Sequence, residues 1–343
     1  MEDNVSRLSH IATVLGASLL AAGMLLPSSA ASAKIKFVMS NDNNGVGLKG
    51  KTFEVLKKEV EKRVGDKVTV ELHHSGTLFD QKTQIQGLQL GGANLIAPTQ
   101  GIYSPLSPKI GVLSLPFLLS TPKAVQAAVE EPVIHKAIFS DLEKKNIEPL
   151  AIWINGPRDL SYHGKKPILV PADLHGIKIR VQPVPVDLKT WKVLGANVVG
   201  MSWSEVPTAL QQGVIEAVEP TPNALVGAGL GEMIDQVTRV DYHYSFYIVS
   251  TNKQWWNKLP ADVRSGIQAA LKSATAWNWE NAAKENKAAY DKVRKLGKPV
   301  HTLTDAQRAK WAEAVKPVWD EYGVKQVGAD VMKRLQKIAE ENK

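Results

Sequence analysis

Apolar and polar residues alternate along the first part of the chain in a pattern that predicts strands separated by helices. Residues 35–40 form a short apolar run, and residues 68–74 alternate between apolar and polar, as strands do. Between them, residues 52–64 repeat apolar positions every three or four residues, as on one face of a helix. A helix at 82–91 and a strand at 93–99 follow. This βαβαβ order predicts a largely parallel sheet with helices on both faces.

A second α/β unit is predicted to begin near Arg158 and to end near Pro220. Helices near 122–145 and a strand at 148–155 complete the first unit before it. Within the second unit the pattern predicts, in order, a hairpin at 160–169 with Gly164 in its turn, a strand at 176–182, a helix at 186–195, and a further strand, helix and strand.

The last third of the chain is predicted to be mainly helical. Residues 241–252 are aromatic and β-branched, which indicates a long strand. Residues 261–296 contain no proline and one glycine, and their apolar positions predict one continuous helix of about 54 Å. Because that length exceeds the width of a small domain, the helix is expected to lie across two. Two amphipathic helices are predicted from Thr304 onward.

The N-terminus has the features of a secretory signal peptide. Residues 11–26 are almost wholly apolar, and Arg7 precedes them. Ala31 and Ala33 then form an A-x-A pattern, which predicts cleavage after Ala33. A retained membrane anchor is the alternative, but the apolar run is shorter than the roughly 20 residues that a transmembrane helix needs. The rest of the chain has no apolar run of that length.

Composition narrows the classes of function. Apolar residues make up 44% of the 343 residues and charged residues 22%, which is typical of a folded protein. There is no cysteine, so disulfides, zinc-thiolate sites and cysteine nucleophiles are excluded. The net charge is +8, but lysine and glutamate are interleaved, as at 57–63, so no nucleic-acid partner is expected.

Motifs for catalysis or cofactor binding are missing from the sequence. The chain has no phosphate-binding glycine loop, no G-x-S-x-G elbow and no H-E-x-x-H helix motif. His73 and His74 are adjacent on a predicted strand, where they point to opposite faces and are poorly placed to share a metal. We therefore expect no catalytic residue, no metal and no cofactor, and we expect a binding protein.

Several segments resemble one family of transport proteins. The run GIKIRVQ at 176–182, the run WKVLGANVVGMSWSEVPTALQQGVIEAVEP at 191–220, and the segments SGTLFDQKTQIQGLQLGGANLIAPTQG, VLSLPFLLSTPKAV and STNKQWWNKLPADVRSGIQAA carry the resemblance. They are similar to the DctP-type extracytoplasmic solute-binding proteins of tripartite ATP-independent periplasmic (TRAP) transporters. They occur in the family's order over nearly the whole chain after the predicted signal peptide.

The resemblance implies an α/β, two-domain periplasmic-binding-protein-like fold with a hinged cleft and a long helix spanning both domains. The corresponding domain assignment is a signal peptide at 1–33, a first domain at 34–156 plus about 241–275, and a second domain at 157–240 plus about 276–343. The family binds small organic acids and delivers them to the small and large subunits of an ion-gradient-driven membrane permease. The implied protein is periplasmic, and we expect a monomer.

Two arginines match positions of the family's ligand site. Arg180 falls on the arginine that clamps the ligand carboxylate, for which a guanidinium offers a planar two-pronged donor. Arg158 matches a second basic position of some members and would suit a second acid group. The alternative to this binding role is a surface ion pair with Asp159.

Trp203 matches an aromatic residue that covers the ligand in the family. The alternative to this role is ordinary core packing.

The sequence departs from the family at Pro220. The family usually has Glu-Asn-Pro where this chain has Glu219-Pro220-Thr221, so the ligand-bonding asparagine is missing and Thr221 or Asn223 is expected to replace its contact. Proline offers neither a backbone N–H nor a polar side chain. Trp153 and the strand at 241–252 are candidates for an aromatic wall. The expected ligand is an aromatic or keto monocarboxylate, or a C4-dicarboxylate.

Two other functions are compatible with the same fold. An exported enzyme acting on a carboxylate would need a general base in the cleft, for which Glu219 and His243 are the candidates. A ligand-sensing partner of a signalling receptor would have the same binding site. We favour the transport protein over both.

Overall fold

The computed structural model describes residues 33–343 of the chain. The predicted signal peptide at 1–33 lies outside these residues except for Ala33. Within the described range, none of the helices combines the length and the apolar character required to cross a membrane.

Eleven strands form two separate sheets in the described part of the chain. The five-stranded sheet has the order β2-β1-β3-β10-β4, and the six-stranded sheet has the order β11-β9-β5-β8-β6-β7. We call the parts of the molecule built on these sheets the first lobe and the second lobe. The strands are β1 (Ile35–Ser40), β2 (Val68–His73), β3 (Leu95–Ile96), β4 (Ile147–Pro157), β5 (Leu160–Tyr162), β6 (Lys178–Val181), β7 (Asn197–Gly200), β8 (Ala217–Val218), β9 (Gln236–Arg239), β10 (Tyr244–Asn252) and β11 (Val300–Thr302).

Residues 33–343 also contain thirteen α-helices. They are α1 (Leu48–Val64), α2 (Gln84–Gln89), α3 (Pro122–Glu130), α4 (Pro132–Lys144), α5 (Pro185–Val193), α6 (Val206–Gln211), α7 (Pro222–Gly227), α8 (Lys253–Lys258), α9 (Ala261–Lys295), α10 (Asp305–Ala314), α11 (Lys316–Tyr322), α12 (Val324–Val327) and α13 (Ala329–Glu341). The alternation of strands and helices confirms the predicted α/β class.

Both sheets are mixed rather than purely parallel. In the first lobe β1 pairs in parallel with β2 and β3, as predicted, but β10 is antiparallel to both β3 and β4. In the second lobe β6 pairs in parallel with β7 and β8, whereas β5 is antiparallel to β8 and β9. The antiparallel strands are those that enter or leave a lobe at the crossings between the two sheets.

The predicted hairpin at 160–169 is wrong. Only β5 forms there, and its partners are β8 and β9, not a returning strand. Pro167 lacks the N–H that a returning strand would donate to the ladder.

The C-terminus also differs from the prediction, since four helices replace the expected two. Pro317 lies in the first turn of α11, Gly323 separates α11 from α12, and Gly328 separates α12 from α13.

The long helix α9 is continuous over 35 residues, as predicted. It packs against α1 and β4 in the first lobe and against α7 in the second. Its approach to α1 requires Gly266, because a Cβ there would lie 2.4 Å from Cγ1 of Val64. The helix therefore acts as a shared support behind both sheets.

Polar side chains of α9 bond the free edge of β4. Asn278 is fully buried; its Oδ1 accepts a hydrogen bond from the N–H of Ile154 at 2.6 Å, and its Nδ2 donates to the carbonyl of the same residue at 3.1 Å. Trp279 Nε1 donates to the carbonyl of Ile152 at 2.9 Å. These side chains replace the strand that the edge lacks, and they fix β4 to the helix.

Besides α9 itself, two chain crossings connect strands of the two lobes, and a carboxyl group joins these crossings to α9. The first crossing runs from β4 to β5 and contains Asp159; the second runs from β9 to β10 and contains Asp241. Asp159 Oδ1 accepts a hydrogen bond from the N–H of Asp241 at 3.0 Å, and Oδ2 accepts one from the hydroxyl of Tyr290 on α9. We call these crossings the hinge.

The exact domain boundaries stay a prediction. β11 belongs to the second sheet, in line with the predicted assignment of the C-terminal segment to the second domain. The last helix, α13, instead packs against α3 and α4, which lie in the predicted first domain.

Removing the Asn278 side chain is expected to destabilise the fold. Asn278→Ala leaves the buried N–H and C=O of Ile154 without partners, which lowers the free energy of unfolding by about 2–4 kcal/mol. The matched control is Asn281→Ala, since Asn281 bonds only the carbonyl of Trp277 within its own helix and should change stability by less than about 0.5 kcal/mol. Urea denaturation of both variants measures the difference, and equal stabilities would contradict the role of Asn278.

Candidate functional site

A small cavity lies between the two lobes, at the ends of their strands. Asp42 follows β1, Thr99 follows β3, Gln182 follows β6, Trp203 follows β7 and Pro220 follows β8. Ligands of open α/β sheets bind outside the carboxyl ends of the strands, and both sheets present those ends here. The lining residues are Asp42, Asn43, Gln81, Thr99, Asn155, Arg158, Arg180, Gln182, Trp203, Pro220, Thr221, Ala224 and Tyr247.

The cavity measures about 20 Å³, which is room for about one water molecule. The lobes bond each other across it. Gln182 Oε1 accepts hydrogen bonds from Thr99 Oγ1 at 2.5 Å and from Gln81 Nε2 at 3.2 Å. At the rim, Ser202 Oγ donates to Asp80 Oδ2 at 2.9 Å. An organic acid can enter only if the lobes separate.

Arg180 is the buried cation of the cavity whose charge is not matched by a carboxylate. Its side chain is 1% exposed. Its donors bond neutral acceptors: Nε and Nη2 donate to the carbonyl of Met201 at 3.0 and 2.7 Å, and Nη2 donates to Gln81 Oε1 at 2.7 Å. Burial lowers its pKa to about 10, so it remains charged at neutral pH. The remaining donors are available to an anion in the cavity.

Arg158 also borders the cavity, but its charge is neutralised by Glu219. Glu219 Oε2 accepts from Nε of Arg158 at 2.5 Å and from its Nη2. The same carboxylate accepts from the hydroxyl of Tyr242 at 2.7 Å and from the N–H of Gln182 at 3.2 Å. Both members of the pair are buried. The predicted alternative of a surface pair with Asp159 is therefore wrong; the ion pair is buried and its partner is Glu219.

The carboxyl group of Asp187 is hydrogen-bonded to Gln182 outside the cavity lining, and its protonation state changes the charge near the site. Asp187 Oδ2 accepts from Gln182 Nε2 at 3.1 Å, and its Oδ1 faces His243 Nε2 at 3.7 Å. Burial and the neighbouring charge of Glu219 raise the pKa of Asp187 to about 8. Burial and the charge of Arg158 hold the pKa of His243 well below its ordinary value. Both groups are therefore mainly neutral at pH 7.

The position of Trp203 is compatible with both alternatives that the sequence left open. It lies in a short 3-10 helix, Trp203–Glu205, and is 9% exposed. It packs in the core of the second lobe and also lines the cavity. Its ring lies 5.3 Å from the guanidinium carbon of Arg180, which is a cation–π distance.

Of the residues at and after Pro220 that were expected near the ligand, some line the cavity and one does not. Pro220 and Thr221 line the cavity, and Thr221 Oγ1 donates to Asn155 Oδ1 at 2.8 Å. Asn223 does not line it: its Nδ2 donates to the carbonyl of Asn155 at 2.8 Å and to Asn286 Oδ1 at 2.9 Å. The structure thus places Thr221 in the wall and Asn223 in a network that ties α7 to α9 and β4.

Several lining residues were not predicted from the sequence. Asp42, Gln81, Thr99 and Asn155 are polar residues of the first lobe. The position of Asp42 and Thr99 shortly after strands β1 and β3 is the signal that was available. Asp42 forms an ion pair with the buried Lys49, so this carboxylate is matched too. Tyr247 supplies the aromatic wall expected from the strand at 241–252, whereas Trp153 lies in the core of the first lobe.

The comparisons with known proteins agree with this geometry. The sequence model of the bacterial extracellular solute-binding protein family 7, DctP, matches residues 42–326. The chain belongs to this family. It is 32% identical to the C4-dicarboxylate-binding periplasmic protein DctP of Rhodobacter capsulatus over 326 residues, which cover 94% of this chain and 96% of that protein.

Solved structures show the same fold. A TRAP periplasmic solute-binding protein of Shewanella oneidensis with bound succinate has a TM-score of 0.85 at 26% identity and covers 90% of this chain and 100% of that one. One of Ralstonia eutropha with bound (S)-2-acetolactate has a TM-score of 0.82 at 27% identity and covers 90% and 99%. The predicted TRAP DctP-type family and two-domain binding-protein fold are confirmed.

Members of this family are solute-binding proteins and not enzymes. Neither Glu219 nor His243, the two candidates for a general base, lines the cavity. Glu219 is instead bonded to Arg158, Tyr242 and Gln182. The alternative of a carboxylate-processing enzyme is therefore wrong.

Replacing Arg180 by lysine is expected to weaken ligand binding and to leave the fold intact. Lysine keeps the charge but loses the planar fork and its contact with Trp203. The loss of a charge-assisted hydrogen bond is worth about 1.5–3 kcal/mol, or about 10-fold to 150-fold in affinity. Calorimetric titration measures it, with Arg63→Lys on the exposed face of α1 as the control. Wild-type affinity of Arg180→Lys would remove Arg180 from the site.

Affinity for an anion is expected to fall as the pH rises through about 8. Asp187 is protonated below its pKa of about 8, and a bound anion nearby favours that neutral form further. Above pH 8 the ionised carboxylate cancels the charge of Arg180. Titrations at pH 6.5, 7.5 and 9 should show weaker binding at pH 9, and Asp187→Asn should remove most of this dependence. An equal dependence in Asp187→Asn would assign it to another group.

Proposed function

We propose that this protein captures an organic acid in the cleft through one carboxylate group, held by Arg180, and delivers it to a TRAP permease. The observation that carries the proposal is the buried guanidinium of Arg180, which bonds two neutral acceptors and forms no ion pair with a described residue. A buried, unmatched cation is an unfavourable arrangement that an anionic ligand relieves.

The charge balance of the site favours a ligand with a single negative charge. Arg158 is matched by Glu219, and Lys49 is matched by Asp42. With Asp187 and His243 neutral, the buried groups carry a net charge of about +1, which comes from Arg180. A monocarboxylate neutralises this charge, whereas a dicarboxylate leaves one negative charge in excess.

The walls favour a ligand with a flat or partly apolar body. Trp203, Pro220 and Tyr247 present two rings and a proline to the cavity. Pro220 stands where the family usually has an asparagine, so a buried hydroxyl or second carboxylate loses one possible partner there. The keto acid (S)-2-acetolactate in the structure of the Ralstonia eutropha protein supports an aromatic or keto monocarboxylate here.

A C4-dicarboxylate is the second candidate ligand. Its support is the 32% identity with the C4-dicarboxylate-binding protein of Rhodobacter capsulatus and the succinate in the Shewanella oneidensis structure. In this chain the second carboxylate would have to displace Glu219 from Arg158 or bond neutral donors such as Thr221 and Asn155.

Delivery follows from the family. The family implies a membrane permease as the partner, and we infer its small and large subunits as the receiving complex. The predicted signal peptide and the family together support a mature chain in the periplasm. A monomer is sufficient for this role, because the described lobes together contain the whole cleft.

Competition between two acids tests the ligand class. A keto monoacid and succinate, at equal concentration, are titrated against the protein by calorimetric displacement. We expect the monoacid to bind at least about tenfold tighter, since the dicarboxylate adds a charge that the site does not match. A clear preference for succinate would contradict the single-charge proposal and would leave the family assignment intact.

Lobe closure upon binding is the second expected outcome. Because the closed cavity holds about one water molecule, the ligand-free protein must open to admit an acid, as in hinge motions of other binding proteins. Small-angle scattering should give a smaller radius of gyration at saturation with a proven ligand than without it. An unchanged radius would count against a large closure.

A further inference from the structure

A second pocket lies on the hinge, and it shares no lining residue with the cleft cavity. Its volume is about 410 Å³, which is within the range of small-ligand sites. Residues of both chain crossings, of α10 and of the loop before α3 form its walls. They are Phe117, Ser120, Pro157, Arg239, Asp241, Tyr244 and Arg308.

The hinge pocket and the cleft lie on opposite sides of the same crossings. Pro157 lines the hinge pocket, whereas its neighbour Arg158 lines the cleft cavity. On the second crossing, Asp241 and Tyr244 line the hinge pocket, whereas Tyr242 between them donates to Glu219 beside the cleft. An occupant of the hinge pocket therefore contacts both crossings without entering the cleft.

Two guanidinium groups converge in the hinge pocket on one carboxylate. Arg308 Nη2 lies 3.2 Å and Arg239 Nη2 lies 3.7 Å from Asp241 Oδ2. The other nearby carboxyl, Asp159, is buried, and burial together with the charge of Asp241 raises its pKa to about 7. Its oxygens already accept from the N–H of Asp241 and from Tyr290. The lining of the pocket thus contains two guanidinium groups and one carboxylate.

Donors of both arginines are left for a ligand. Arg308 uses Nη1 for the carbonyl of Val240 at 2.9 Å and Nη2 for Asp241. Arg239 stacks on the ring of Tyr290 at 5.0 Å, and its Nη2 lies 3.7 Å from Asp241 Oδ2, which is too far for a strong hydrogen bond. An acceptor in the pocket that bonds these terminal N–H groups is stabilising.

The lining of the hinge pocket also includes two aromatic residues and two residues with unusual backbone conformations. Phe117 and Tyr244 contribute their rings, and Tyr244 is largely buried. Phe117 has a φ of 63° and Asp241 a φ of 48°, which are left-handed values that non-glycine residues rarely adopt. Such strain persists where the surrounding structure enforces it, and here it places both residues in the same pocket.

We propose that the hinge pocket is a second binding site, which takes a small organic carboxylate. The acid group is held by Arg239 and Arg308, and the body lies between Phe117 and Tyr244. A guanidinium pair matches the carboxylate, and the rings match an apolar or aromatic body rather than a bare inorganic anion.

The experiment uses 4-fluorobenzoate as the probe and fluorine NMR as the readout, at pH 7. The background is the full mature chain with Arg180→Ala, so that the cleft no longer clamps a carboxylate. We expect saturable binding in this background and a loss of about tenfold or more in affinity when Arg239→Ala and Arg308→Ala are added. Arg63→Ala in the same background is the matched control and should bind as the background does.

Three results would overturn the proposal. They are no saturable binding to the Arg180→Ala protein, binding that survives the loss of both hinge arginines, and inorganic phosphate binding as tightly as the probe. Fluorobenzene, which lacks the acid group, should not bind. If the double variant does not fold by circular dichroism, Arg308→Ala alone serves, because this side chain is partly exposed and its loss should still weaken the probe severalfold.

Discussion

The burial of two arginines beside one small cavity is the constraint on which the site depends. A guanidinium out of water must be matched by a negative charge or by hydrogen bonds. Arg158 has the carboxylate of Glu219, and Arg180 has two neutral oxygens. This asymmetry is the basis for proposing that Arg180 receives an incoming acid while Arg158 stays paired in the wall of the cavity. The same pair connects the first crossing to β8, so the charge pattern and the hinge are built from the same residues.

Helix α9 fixes the backbone next to the buried arginines through hydrogen bonds from its asparagine side chains. Asn278 on this helix bonds the backbone of Ile154 at the edge of β4, and Asn286 bonds the carbonyl of Asn155 near the end of the same strand. Asn223 joins the same network from the second lobe. The side of this region that faces α9 is therefore bonded to the helix. The side that faces the cleft carries Arg158 and Tyr242.

Much of this architecture could be predicted from the sequence. The α/β class, the long helix and the family followed from apolar periodicity and from segments in a known order, because these depend on local pattern. Arg180 and Trp203 were found from the same segments. The hairpin at 160–169 was wrong because β5 pairs with strands distant in the chain, and no local signal shows that.

The partners of the buried polar groups could not be predicted. Arg158 pairs with Glu219, 61 residues away, and not with the adjacent Asp159, since successive residues on the crossing point to opposite sides. Asn223 was expected in the ligand site and bonds Asn155 and Asn286 instead, because α7 turns it toward α9. Such pairings depend on how the lobes meet, which one sequence does not record.

The most direct test of the central claim is a crystal structure of the complex with a proven carboxylate ligand. The account predicts one carboxylate within about 3 Å of the Arg180 guanidinium nitrogens, a charge-assisted hydrogen-bond distance. It also predicts that the Arg158–Glu219 pair stays intact and that the ligand body lies against Trp203. A carboxylate bound to Arg158, with Glu219 displaced and Arg180 still bonded only to Met201 and Gln81, would contradict it.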